Sequence, residues 1–150
     1  MKKFVLVAIM ASSLVSGQAM AACTTATRLD AAAISALLGG KTVCVPKVTI
    51  ATMTWQELHE GTSTSTTGLL KDYKRGPGHA VDPSQTVGTW TVSANGGGNQ
   101  ATVTQAYNGG GGIYTYSVHS IDILNAIYGF CPTAGGAEIE AKVKSTTTGC

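Results

Sequence analysis

The chain has 150 residues, with 10 Lys and Arg against 8 Asp and Glu, and only 12% of its residues are charged. A balance so close to neutral, with no basic stripe, excludes the electrostatic footprint of a nucleic-acid binder. The one long apolar run lies at the N-terminus and is shorter than the roughly 20 residues a spanning helix needs, so no membrane span is expected.

That run has the organisation of a secretory signal peptide. Lys2 and Lys3 form a basic region, Phe4 to Val15 an apolar one, and Ala19-Met20-Ala21 a small-x-small cleavage site. Cleavage after Ala21 divides the chain into a signal peptide, 1–21, and a single domain, 22–150, whose formal charge is zero once Lys2 and Lys3 are lost. The expected location is periplasmic or secreted. The competing reading is lipoprotein anchoring through Cys23, which follows Met20-Ala21-Ala22 where such a signal usually carries Leu at the first of the three positions.

The stretch TRLDAAAISALLGGK predicts the only helix. Thr27 is the expected N-cap, Asp30 sits in the first turn where it suits the helix dipole, and Leu29, Ala33 and Leu37 share a face widened by Ile34 and Leu38. Gly39 is the expected left-handed C′ residue. From there on, β-branched residues and turn signals predict strands near 42–46, 48–58, 67–74, 87–93, 100–107, 112–119, 126–131 and 137–144. Within them the apolar period is two. Gly88, Trp90 and Val92 share one face, as do Ala101, Val103, Gln105 and Tyr107, and then Tyr114, Tyr116 and Val118. The glycine clusters NGGGN (95–99) and NGGGG (108–112) therefore punctuate hairpins, where Asn and Gly supply positive φ, and do not cradle phosphate. The last strand alternates Ile139, Ala141 and Val143 with Glu138, Glu140, Lys142 and Lys144, the charge pattern of a protected sheet edge. The expected fold is mainly β, an antiparallel meander forming a small barrel or sandwich with one short N-terminal helix.

Cys23, Cys44, Cys131 and Cys150 make an even set, read as two disulfides in an exported chain. Four cysteines allow three connectivities; the favoured one is Cys23–Cys44 with Cys131–Cys150, each closing a loop of about 20 residues. A lipid on Cys23 would leave one thiol unpaired. No Cys-x-x-Cys occurs, so neither a redox nor a zinc motif is present.

Several segments, TWQELHE, GLLKDYKRGPGHAVDPSQTVGTW and GGIYTYSV…YGFC, resemble a group of short secreted bacterial proteins of unknown function. The shared pattern falls on Trp55, Glu57, His59, Asp72, Tyr73, Lys74, Gly76, Asp82, Pro83, Val87 to Trp90, Tyr114, Tyr116, Phe130 and Cys131. The resemblance implies a shape and no activity. The Gly-x-Trp at Gly88–Trp90 is also similar to that of lipocalins and avidins, over three residues.

Chemistry-bearing residues are few. Trp55, Glu57 and His59 alternate onto one strand face. Glu57 and His59 together suit an acid–base pair or two metal ligands, and the plainer reading of the three is a polar outer face. No nucleophile motif is present, and no cofactor or metal is expected. The segment 75–85, rich in Gly, Pro and Asp, is the longest irregular connection; with His79 and Asp82 it is the expected contact surface, alongside Trp55, Glu57 and His59. The function expected is therefore a binding or interaction module for an unknown protein or small-molecule partner. A structural or assembly subunit at the cell surface and a small hydrolase using Glu57 and His59 are the alternatives.

Overall fold

Eight strands with hairpin order leave one topological choice, whether the first and last strands meet, and here they do. The computed structural model describes residues 23–45, 55–73, 85–95, 100–147 and 150. The strands are β1 (Lys41–Val45), β2 (Trp55–His59), β3 (Thr67–Asp72), β4 (Gln85–Ser93), β5 (Thr102–Tyr107), β6 (Gly112–Asp122), β7 (Ile127–Pro132) and β8 (Ile139–Lys144). Each pairs antiparallel with its neighbours in sequence, and β8 pairs with β1 through Val143 opposite Val43, closing a barrel. The charge alternation of β8 thus does not guard an edge. Both sides of that strand are hydrogen-bonded, and its charges face outward while Ala141 and Val143 are buried.

Eight strands give an interior that side chains can fill, or that can hold one small ligand. One end is filled. Helix α1 (Ala31–Leu38) precedes β1 and buries Ile34, Leu37 and Leu38 against a core of Val43, Leu70, Trp90, Val92 and Val103. Asp30 caps it, accepting a hydrogen bond from Ala33 N at 2.8 Å, whereas Thr27, the expected cap, ends a separate 3-10 turn (Thr25–Thr27). The left-handed residue after the helix is Gly40 (φ 73), not Gly39 (φ −58); two glycines were available, and the chain turns at the second.

Trp90 is the largest fully buried side chain. Its indole Nε1 donates to Glu60 O at 3.1 Å, which satisfies the one polar atom it brings inside. Gly68, opposite it on β3, has no room for a side chain, because a Cβ there would lie 2.6 Å from that same Nε1. The second glycine cluster is a hairpin turn as expected, with Gly109, Gly110 and Gly112 all at positive φ. The first joins β4 to β5, which pair from Gly88↔Tyr107 to Ser93↔Thr102, though residues 96–99 lie outside the described ones.

The disulfides join Cys23 to Cys131 and Cys44 to Cys150, so the expected pairing of near neighbours is corrected. Each bridge clamps a segment flanking the barrel to its outer wall. The N-terminal segment crosses β6, where Leu29 N donates to Val118 O and the His119 ring meets Thr24 O at 2.9 Å. The C-terminal segment crosses β1 and β2, where Thr42 Oγ1 donates to Thr146 O and Cys150 N donates to Gln56 Oε1. His119 and Gln56 point away from the barrel axis and are buried only because these straps cover them. Two such bridges belong to a chain folded in an oxidising environment. Cys23, held by Cys131, has no sulfur to give to a lipid thioether. Among the described residues no helix is long and apolar enough to cross a membrane.

Candidate functional site

Among the described residues, nothing closes the end opposite α1. There the described wall is formed by the starts of β2, β4, β6 and β8 and the end of β5. Between them lies a cavity of about 640 Å³, within the roughly 300–1,000 Å³ of small-molecule sites. Its described walls are largely aromatic and aliphatic, with Trp55, Val87, Tyr107, Tyr114, Tyr116 and Ile139 around Glu57 and Gln105. The alternation that puts Trp55, Glu57 and His59 on one face directs all three into the barrel, so the polar outer face expected for them is not what forms. Sequence order then sets depth: Trp55 lies at the mouth, Glu57 at the floor and His59 beneath it.

The Tyr107 hydroxyl donates to Glu57 Oε1 at 2.6 Å and also reaches Gln105 Oε1 at 3.3 Å. The Gln105 amide nitrogen meets His59 Nε2 at 3.1 Å. An amide NH₂ can only donate, so Nε2 is the bare acceptor and the ring proton sits on Nδ1. The His59 ring then meets Trp90 edge-on, with centroids 5.6 Å apart. A polar chain therefore runs down the barrel axis from mouth to helix end, and two of its atoms, Glu57 Oε2 and His59 Nδ1, have no hydrogen-bond partner.

Burial decides the charge of both titratable members. Glu57 is 5% exposed, and desolvation raises its carboxyl to about 7. The Tyr107 hydrogen bond pulls the other way, and the Asp72 carboxylate, opposite Glu57 in the β2–β3 ladder, adds a smaller upward push. His59 is 0% exposed; desolvation lowers it to about 4, against a small opposing effect of the Glu57 backbone. Desolvation by burial, with the Glu57 charge beside it, holds the Tyr107 phenol protonated throughout the accessible pH range. At pH 7 the chain is thus a neutral histidine, a neutral phenol and a carboxyl poised between its two forms.

Glu57 and His59 do not form a dyad. Tyr107 and Gln105 stand between them, and His59 does not line the cavity. His119, the third histidine, is on the outer wall under the N-terminal strap. The one close group of metal-type ligands among the described residues is Cys23, Cys131 and Glu138, and its two sulfurs are spent in a disulfide. His79 and Asp82, the other expected contact residues, lie outside the described residues. Among the cavity residues that sequence reasoning passed over are Gln105, Tyr107, Tyr114 and Tyr116. The period-two pattern already put them on the inward faces of β5 and β6, but nothing in it says that those faces end at an opening.

No protein family, curated protein or solved structure matches this chain.

Proposed function

We propose that this is an extracytoplasmic binding protein, periplasmic or secreted, which holds a small molecule in the open mouth of its barrel. The observation that carries this is the asymmetry of the barrel's two ends. One is closed by a docked helix, and the other holds an aromatic-walled cavity of about 640 Å³ with a few convergent polar atoms at its floor, the usual construction of a ligand site. The hydrolase reading loses its support, because His59 is sealed beneath Gln105. Assembly by strand addition has no edge to use, because β1 and β8 are paired. Native mass spectrometry on the protein purified from its own compartment tests the proposal. A bound small molecule at one per chain is expected, and it should be absent from Ile139→Trp, which fills the mouth. A ligand-free wild type that also binds no member of a small-molecule library would overturn it.

A further inference from the structure

From the cup's floor and walls, and resting on the binding function just proposed, we infer that the ligand is a small organic ammonium ion: a primary or secondary amine on an apolar or aromatic body.

The floor specifies the head group. Glu57 is almost wholly buried yet lines the cavity. One of its oxygens is held by Tyr107, and the other, Oε2, has no partner within the protein. A buried polar atom left unpaired costs stability, and in functional sites it is often the atom a ligand satisfies. Oε2 of the ionised carboxylate accepts and cannot donate, so the missing group is a donor. A cationic donor forms the stronger, charge-assisted bond. Asp72, across the β2–β3 ladder, makes the local potential more negative. The described lining residues include no Lys, Arg or His to neutralise it.

The walls specify the rest. Tyr107 and Tyr114 meet edge-to-face at 5.8 Å, and Tyr116 and Trp55 complete an aromatic surround. Ring faces attract a cation as well as covering its apolar body. An anionic ligand would meet the Glu57 carboxylate with no Lys, Arg or His among the described lining residues to offset it.

Proton linkage follows. The groups facing Glu57 are Tyr107 on β5, Tyr116 on β6 and Asp72 on β3, while Val43 opposite it on β1 carries no charge. Both tyrosines stay protonated, their phenols raised chiefly by burial, so Glu57 is the group whose ionisation a cation draws out. An alkylamine keeps its own proton up to about pH 10. Its affinity for the cup therefore rises with pH through about 7, the value at which Glu57 ionises.

Calorimetric titration of the full oxidised chain with phenethylamine, 2-phenylethanol and phenylacetate tests the inference. These share one ring and differ in head charge. The amine should bind best and the carboxylate worst. Glu57→Gln should weaken the amine about 10- to 100-fold, the cost of losing one charge-assisted bond, and leave the alcohol unchanged. Tyr114→Leu, at a half-exposed mouth position whose loss does not threaten the core, should weaken the amine more than the alcohol. If the three probes bind alike, or Glu57→Gln weakens amine and alcohol equally, the ammonium inference is wrong and the binding cup stands. If none of the three binds while a library member does, the inference again fails alone. If no small molecule of any charge binds, both fall together.

Discussion

Replacing Glu57 by Gln should change how stability depends on pH, in a direction and by an amount that the barrel interior dictates. Gln is isosteric; it keeps an acceptor for the Tyr107 hydroxyl and removes only the titration. In the wild type the folded chain keeps the Glu57 proton up to about 7, while the unfolded chain releases it near 4.5. Between those values unfolding releases a proton, so stability falls as pH rises. The span is about 2.5 pH units at roughly 1.4 kcal/mol each, or about 3 kcal/mol. His59 runs the other way. Its folded form is neutral down to about 4, whereas the unfolded chain takes up a proton below 6.5, so stability rises with pH across that window. From about pH 4.5 to 6.5 the two slopes cancel, and the wild type should be nearly indifferent to pH there as far as this pair is concerned. Glu57→Gln leaves His59 unopposed. Urea unfolding at fixed pH values under non-reducing conditions measures both proteins, and taking their difference removes every group they share. Relative to the wild type, the variant should gain about 3 kcal/mol between pH 4.5 and 7.5. A difference that moves by less than about 1 kcal/mol over that range would mean that Glu57 is hydrated in the folded protein, and the argument from burial would be lost.

Trp90→Ala should cost about 3–5 kcal/mol in the same assay, since it empties the largest buried site and leaves Glu60 O without its donor; a cost below about 1 kcal/mol would show that the barrel core collapses around the gap without penalty. Non-reducing peptide mapping should recover Cys23 linked to Cys131 and Cys44 linked to Cys150. Replacing Cys44 and Cys150 together by Ser should cost about 2–5 kcal/mol, and recovery of a Cys23–Cys44 peptide instead would refute the strap arrangement.

Much of the architecture was legible because alternation is a local signal. The inward faces of β4, β5 and β8 could be read residue by residue from Gly88-x-Trp90-x-Val92, Val103-x-Gln105-x-Tyr107 and Ile139-x-Ala141-x-Val143. What stayed hidden depends on partners far away in sequence. Strand β2 is buried on both sides, which no alternation can announce: Glu57 and His59 face the interior network, while Gln56 lies under the C-terminal strap. A carboxyl and an imidazole in an otherwise apolar barrel contradict the expectation that charge seeks water. Burial resolves this by leaving His59 neutral and moving Glu57 toward its neutral form. The disulfide pairing was hidden for the same reason. Short loops favour Cys23 with Cys44 entropically, but barrel closure carries each chain end to a strand more than 100 residues away in sequence, with separations of 108 and 106. In the chain-entropy description, loops of that length raise each bridge's contribution to about 4.7 kcal/mol.

The seam between β1 and β8 also orders events in time. β1 is made early and must wait, unpaired on one side, for a partner about 100 residues later in the sequence, and Cys44 waits longer still, for Cys150. Until residues 139–150 have emerged, the growing sheet has two open edges and an exposed interior, a state that is prone to aggregate. Contacts of such long range also make closure slow. A polypeptide built this way cannot close its barrel before β8 has been made. It locks, covalently and by hydrogen bonds, only once β8 and Cys150 have both been made and Cys44 meets its partner in an oxidising environment.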